Sequence, residues 1–367
     1  MSPLETAVAV ALALIATACS APAGMAAGPG SPATREAPPP ADPSIDAVVN
    51  KEYLDAVLGM MDRATSTIRV VHFECNEDKI IDRIVGRMVD AAARGVDVMA
   101  VFEADLDGNA RRVEYLVGKG VRARVDGERY THAKLVVVDG REVLFGSTNF
   151  SYKSILSNNE TNLHIVSAAA GRFYQVYAEA LFADPVATPA LEPVAVPEIG
   201  LLATLHDGDY FQRALDAIGA AKSRIHLLVY GMNLNVRQKD GQVLRLVNAL
   251  KEALDRGVEV LVILEASDYN EDLNRLNTFA ARYMTNACIK VRFEPLDQIS
   301  HAKLLVVDDV AFVGSNNWGV GGFGGYHEVG GITSNAAVVS KLSDYFDTVW
   351  AESTPAAPPC SQQKTID

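Results

Sequence analysis

Two stretches of the chain, "THAKLVVVDGREVLFGSTNFS" (Thr131–Ser151) and "SHAKLLVVDDVAFVGSNNWG" (Ser300–Gly319), carry one pattern almost residue for residue. Each opens with His and Lys, runs through apolar residues of strand character to an Asp, and reaches a Gly-Ser-x-Asn. The register holds well beyond the motifs. His301 follows His132 by 169 residues, and Trp350 follows Leu181 by the same 169. Arg256 follows Arg94 by 162, so the second copy carries seven extra residues between strand and motif. A unit this long is a duplicated domain, too large for a solenoid repeat.

Each copy follows the same plan. The apolar strands "STIRVVHFECN" (Ser66–Asn76) and "SRIHLLVYGMN" (Ser223–Asn233) correspond. An amphipathic helix follows each, then "ARGVDVMAVFE" or "DRGVEVLVILE", where Gly95 or Gly257 caps the helix before a buried strand. Each copy closes on an amphipathic helix, "FYQVYAEALF" or "LSDYFDTVWAE". Strands alternating with helices predict an α/β fold, with a mostly parallel, helix-covered mixed sheet in each half. The expected boundaries are an export signal over 1–23, a Pro/Ala-rich tether over 24–45, a first domain over 46–184, a Pro-rich linker over 185–200, a second domain over 201–353 and a loose tail over 354–367.

The signal rests on "AVAVALALIATA" (Ala7–Ala18), too short to cross a bilayer, which needs about 20 residues, and of h-region character. "ATAC", ending at Cys19, resembles a bacterial lipobox; cleavage after "APA" at Ala23 is the alternative. Either way an exported protein is expected, periplasmic, secreted or lipid-anchored. Cys19, Cys75, Cys288 and Cys360 match no zinc spacing and allow at most a single bridge if Cys19 is lipidated. The net charge of −13 argues against charge-driven binding to nucleic acid or anionic membranes.

Residues i and i+2 of a strand share a face, so His132 projects with Lys134 and His301 with Lys303. One such pair could be a solvated strand end; its recurrence in register points to a site. The set suits phosphoryl transfer. A neutral imidazole can attack phosphorus, and a second can protonate the leaving oxygen and then deprotonate the acceptor. Two lysines can stabilise charge on the phosphoryl oxygens, and the amides of Asn149 and Asn317 can donate to them. Each half has one such histidine, so a complete site requires both halves.

"HAKLVVVD…GSTN" (His132, Lys134, Asp139, Gly146, Ser147, Asn149) and "HAKLLVVD…GSNN" (His301, Lys303, Asp308, Gly314, Ser315, Asn317) resemble the paired signatures of the phospholipase D superfamily. The resemblance covers roughly Asp46 to Glu352. It implies two phospholipase D-like α/β/α domains about a pseudo-two-fold axis, with both histidines bracketing the phosphodiester. It further implies that His132 is the nucleophile and His301 the general acid, and that Glu160 and Glu328, beyond Gly-Ser-x-Asn, help orient a histidine. Asp139 and Asp308, at the far ends of their strands, are expected to support the motifs structurally.

"GVGGFGG" (Gly319–Gly325) follows a motif strand instead of opening the first helix, so it is no dinucleotide fingerprint. It is expected to be a mobile rim loop, with Phe323 and Tyr326 as substrate contacts. His72 and His226 are expected in the core; His164, His206 and His327 carry no assignment. No cluster has metal-ligand spacing, so neither catalytic metal nor cofactor is expected. The leading expectation is hydrolysis or exchange of phospholipid head groups at a membrane surface. The alternatives are an exported metal-independent nuclease and, further off, a non-catalytic phosphate-binding surface protein.

Overall fold

The computed structural model describes residues 43–184, 186 and 189–357. The expected signal, most of the tether, Cys19 and Cys360 lie outside them. The first half contains β1 (Ser44–Val49), α1 (Glu52–Arg63), β2 (Thr67–His72), α2 (Ile81–Ala93), β3 (Asp97–Glu103), α3 (Asp107–Gly118), β4 (Arg122–Asp126), β5 (Lys134–Val138), β6 (Glu142–Gly146), α4 (Tyr152–Leu156), β7 (Thr161–Val166) and α5 (Ala168–Ala183). The second contains β8 (Leu201–His206), α6 (Asp209–Ala220), β9 (Arg224–Val229), α7 (Gln242–Asp255), β10 (Glu259–Leu264), α8 (Glu271–Asn286), β11 (Lys290–Phe293), β12 (Lys303–Val307), β13 (Val310–Gly314), β14 (Val329–Thr333), α9 (Ala336–Glu352) and β15 (Thr354–Pro355).

The strands form two sheets, ordered β1-β7-β6-β5-β2-β3-β4 and β15-β11-β10-β9-β12-β13-β14-β8. The duplicated α/β expectation holds, and both sheets are mixed. Parallel ladders are confined to β2-β3-β4 and β9-β10-β11, so parallel pairing does not predominate as expected. The reason is local. After each motif strand the chain doubles back at once through a left-handed residue, Asp139 (φ 52°) or Asp308 (φ 50°), and a tight turn can return only antiparallel. Three boundaries also differ. Ser44 and Ile45 of the expected tether belong to β1, Thr354 and Pro355 of the expected tail pair with β11, and the linker's Val194 and Val196 bond back onto β8.

A central apolar cluster is shared by the halves, joining Leu135, Phe145 and Leu181 to Leu304, Val313 and Phe346. Tyr174 of α5 donates its hydroxyl to the Gly330 carbonyl of β14 at 2.6 Å, and Lys341 of α9 donates to the Ala47 carbonyl of β1 at 2.9 Å. The motif strands run through this core, which is why β5 and β12 are buried along their whole length. The motif glycines have a packing reason. A Cβ on Gly146 would sit 2.3 Å from the Thr161 carbonyl oxygen, and one on Gly314 would sit 2.6 Å from that of Val329.

Asp139 and Asp308 pin the strands. The Asp139 carboxylate accepts from the backbone N–H groups of Thr65, Ser66 and Thr67, and Asp308 accepts from those of Lys222, Ser223 and Arg224. Partial burial of Asp308 works against ionisation, but the Ser223 hydroxyl and these amides outweigh it and hold the carboxyl at about 2. A folded-state value below the unfolded one stabilises above the ordinary carboxylate range and ceases to as pH falls through about 2. Asp308→Asn should therefore cost roughly 1–2 kcal/mol near neutral pH. Thermal unfolding should show a fall in Tm of a few degrees that shrinks below about pH 4. An unchanged Tm at pH 7 would refute this role.

Candidate active site

The N-terminal ends of β5 and β12 meet at one cleft of about 690 Å³, whose lining includes His132, Asn149, His301 and Asn317. Short bridges between the halves hold them there. The His132 N–H donates to the His327 carbonyl at 3.0 Å, and the His301 N–H to that of Asn159 at 2.9 Å. These contacts are pseudo-symmetric and leave neither half a complete site.

The carboxylates are exchanged between the halves. His132 Nδ1 lies 3.0 Å from Glu328 of the second half, and His301 Nδ1 lies 3.3 Å from Glu160 of the first. Each Nδ1 faces into the protein, which leaves Nε2 towards the cleft. His301 Nδ1 also lies 2.9 Å from the Ser147 carbonyl, an acceptor only, so Nδ1 of His301 carries a hydrogen. Ser147 and Ser315 donate their hydroxyls to Glu160 and Glu328 respectively.

Lys134 and Lys303 are buried beneath the histidines. Each Nζ donates to the carbonyl of its own motif histidine at 2.5 Å and stands over an aromatic ring, Phe73 at 4.9 Å or Tyr230 at 5.0 Å. Asn149 and Asn317 line the cleft, and each has a buried Oδ1 without a partner. An unpaired buried amide is costly unless a ligand completes it.

The electrostatics of the two histidines differ. Burial, then Lys134, Lys303 and His301, push His132 well below the usual histidine range. Burial and Lys303 push His301 down to about 4, but against them works the adjacent carboxylate of Glu160. Burial would raise Glu160 itself; the charges of His301 and Lys303 and the Ser147 hydroxyl overcome it and keep Glu160 below the usual carboxylate range. Glu328 goes the other way, with burial raising it to about 8. The two partner carboxylates are thus shifted in opposite directions, Glu160 beside His301 towards its ionised form and Glu328 beside His132 away from it.

All the expected motif residues except the two Asp gather at the cleft or directly behind it. Phe323 does not. It is buried against Tyr210, with ring centroids 5.8 Å apart, because the glycine loop folds inward onto α6. Nor is that loop loose: the Arg129 guanidinium donates to the carbonyls of Gly324, Gly325 and Tyr326. Tyr326 does reach the rim, 4.6 Å from the Tyr130 ring. His72 and His226 lie in the core, stacked on Phe150 and Phe346. His164 pairs with Glu142, and His206 lies beside Asp207. His327 is buried between Asp126 and Asp207.

Several site residues escaped the sequence reading. Glu103 accepts from the Thr131 N–H at 2.5 Å and Glu265 from that of Ser300 at 2.6 Å, so each fixes the residue just before a motif histidine. Their signal was present, since aligned Glu residues end "VMAVFE" and "VLVILE". Phe73 and Tyr230 likewise hold aligned aromatic positions. Tyr130, Tyr152 and Lys153 line the cleft but answer to Ile299, Val320 and Gly321 in the other copy, and Tyr269 lies among the second copy's extra residues, so no matching residue signalled them. Among the described residues no group of three or more His, Cys, Asp or Glu is placed to hold a metal ion, and no helix is long and apolar enough to cross a membrane.

Among solved structures, the chain is similar to phosphatidylserine synthase of Haemophilus influenzae Rd KW20, with a TM-score of 0.67 at 11% identity over 85% of this chain and 87% of that one. It is also similar to polyphosphate kinase of Porphyromonas gingivalis, with a TM-score of 0.60 at 14% identity over 87% of this chain and 50% of that one. At these identities the likeness concerns the fold alone. Comparison of the sequence with curated proteins gives no match. The family described as "Cardiolipin synthase, PLD-like domain" matches twice, over residues 57–182 and 214–350, once in each half. With both copies contributing a histidine, a lysine and an exchanged carboxylate to one cleft, the chain belongs to this family of the phospholipase D superfamily.

Proposed function

We propose that the chain is an exported phosphodiesterase of the phospholipase D type, which hydrolyses or exchanges phospholipid head groups through a phosphohistidine. The observation that carries this reading is the pair of His–carboxylate couples, each built across the halves and opening on one cleft. His132, whose partner Glu328 is shifted away from its ionised form, attacks phosphorus through Nε2. The P–O bond to the head-group alcohol breaks as His301, protonated and paired with Glu160, gives that oxygen a proton. Water or a second alcohol then loses its proton to His301 and attacks phosphorus, and the P–N bond breaks to restore His132. The buried lysines offset the phosphoryl charge throughout, and the anionic substrate in turn favours the protonated form of His301.

The cleft's charge supports a lipid over a polyanion. Among its lining residues Lys153 is the one Lys or Arg, beside Glu74 and Asp78. The arginines that precede His132 most nearly in the chain are engaged elsewhere: Arg122 pairs with Asp97, Arg124 donates to the Phe182 carbonyl, and Arg129 holds the glycine loop. A nucleic-acid groove normally neutralises several phosphates. A family described by a phosphatidyl-transfer name agrees with this reading.

The test offers purified protein phosphatidylglycerol or phosphatidylcholine vesicles and, separately, single-stranded DNA, with His132→Ala as control. Head-group release, or exchange for an added primary alcohol, is expected from the unmodified protein and not from the variant. DNA cleavage that depends on His132, with no action on lipid, would replace this reading with a nuclease.

A further inference from the structure

The two sides of the cleft are built on one scaffold but differ in polarity. Asn109 accepts from the Cys75 N–H and donates to the carbonyls of Phe73 and Glu103; Asn277 accepts from the Met232 N–H and donates to those of Tyr230 and Glu265. These matched networks align the halves independently of the motifs. Four residues before Asn109 stands Asp105, and four before Asn277 stands Leu273; one residue before, Gly108 is matched by Leu276. After Asn149 come Phe150, Ser151, Tyr152 and Lys153, whereas after Asn317 come Trp318, Gly319, Val320 and Gly321. On the first-half side the cleft wall carries Glu74, Asn76, Asp78 and Lys153. On the second-half side a further groove of about 530 Å³ adjoins the cleft, walled by Leu273, Leu276, Trp318, Val320 and Tyr326.

This groove is continuous with the site, because Tyr230 and Asn317 line both. It also keeps apolar surface in water, with Val320 69% and Tyr326 37% exposed. The glycines shape it: a Cβ on Gly321 would lie 2.1 Å from the Tyr326 ring, so only glycine lets that ring lie flat against the loop. A symmetric diester would need no such difference between the walls. We infer that the groove bounded by α8 and the Gly319–Tyr326 loop holds a hydrocarbon chain of the phosphodiester, leaving the polar substituent against the first-half wall. The inference rests on the phospholipid reading for its choice of ligand, but its test is independent of turnover.

Calorimetric titration of the full chain with n-alkyl phosphates from butyl to decyl, below their micellar concentrations, measures the groove directly. Affinity should climb with each added methylene, by up to about fourfold where burial is complete, with an increasingly negative heat-capacity change. Val320→Glu and Leu276→Glu, each checked for an unaltered circular-dichroism spectrum, should flatten the series. Because Val320 is exposed, its variant has little reason to misfold. A flat series in the unmodified protein, or a full climb retained in both variants, would overturn the assignment. A climb in a protein that leaves phospholipid vesicles untouched would keep the groove and refute the phospholipid reading, so the two failures are distinguishable.

Discussion

His132→Ala and His301→Ala should each abolish nearly all turnover, with kcat falling by roughly 10²–10⁴ for loss of the proton donor and by at least as much for loss of the nucleophile. The double variant should lie within about tenfold of the worse single one, because residues acting in one sequence of steps do not contribute additively. The reason is geometric. His132 is oriented by Glu328 and His301 by Glu160, so each half holds one histidine and the other half's carboxylate. Two independent sites would leave each single variant near half of the original rate. Steady-state kinetics on one soluble diester decides between them, and a residual rate near one half in either variant would exclude a shared site.

Much of this was legible before any coordinates, and the reason is the duplication. A lone His-x-Lys at a strand start has an ordinary explanation; the same set 169 residues later in one register does not. The two halves, the shared site and the motif residues follow from that register. What it could not convey is partner choice across the interface. Glu160 and Glu328 stood at matching places, but their exchange depends on how the halves dock, which the bridges at Asn159 and His327 decide. The direction of the motif strands was missed for a different cause. A buried apolar run reads alike in either orientation, and only the turns at Asp139 and Asp308 fix it. Phe323 looked like a rim aromatic because glycines flank it, whereas those glycines let the loop fold inward and bury the ring against Tyr210. Of the cleft's tyrosines, Tyr152 answers to Val320 in the other copy and Tyr269 lies among the second copy's extra residues, so matching the copies passes over both.

The asymmetry between the histidines concerns the central step. Both are buried, and the lysines beneath oppose protonation of each. Of the two partner carboxylates, Glu160 is the one kept below the usual carboxylate range, and it faces His301. In the proposed mechanism, substrate arriving between the lysines adds negative charge that favours a proton on His301 and leaves His132 as the neutral nucleophile.

A covalent intermediate on His132 is therefore the measurement that matters most. A diester with a good leaving group, mixed with the full chain in the presence of a chelator and quenched with base within milliseconds, should add one phosphoryl-bearing moiety per chain by intact mass. Peptide mapping should place it on His132. In His301→Ala the adduct should still form, since such a leaving group needs no proton, and should persist longer because no base activates the attacking water. An adduct on both histidines at once, or none in either protein with turnover restored only by added metal, would contradict a single covalent site assembled from the two halves.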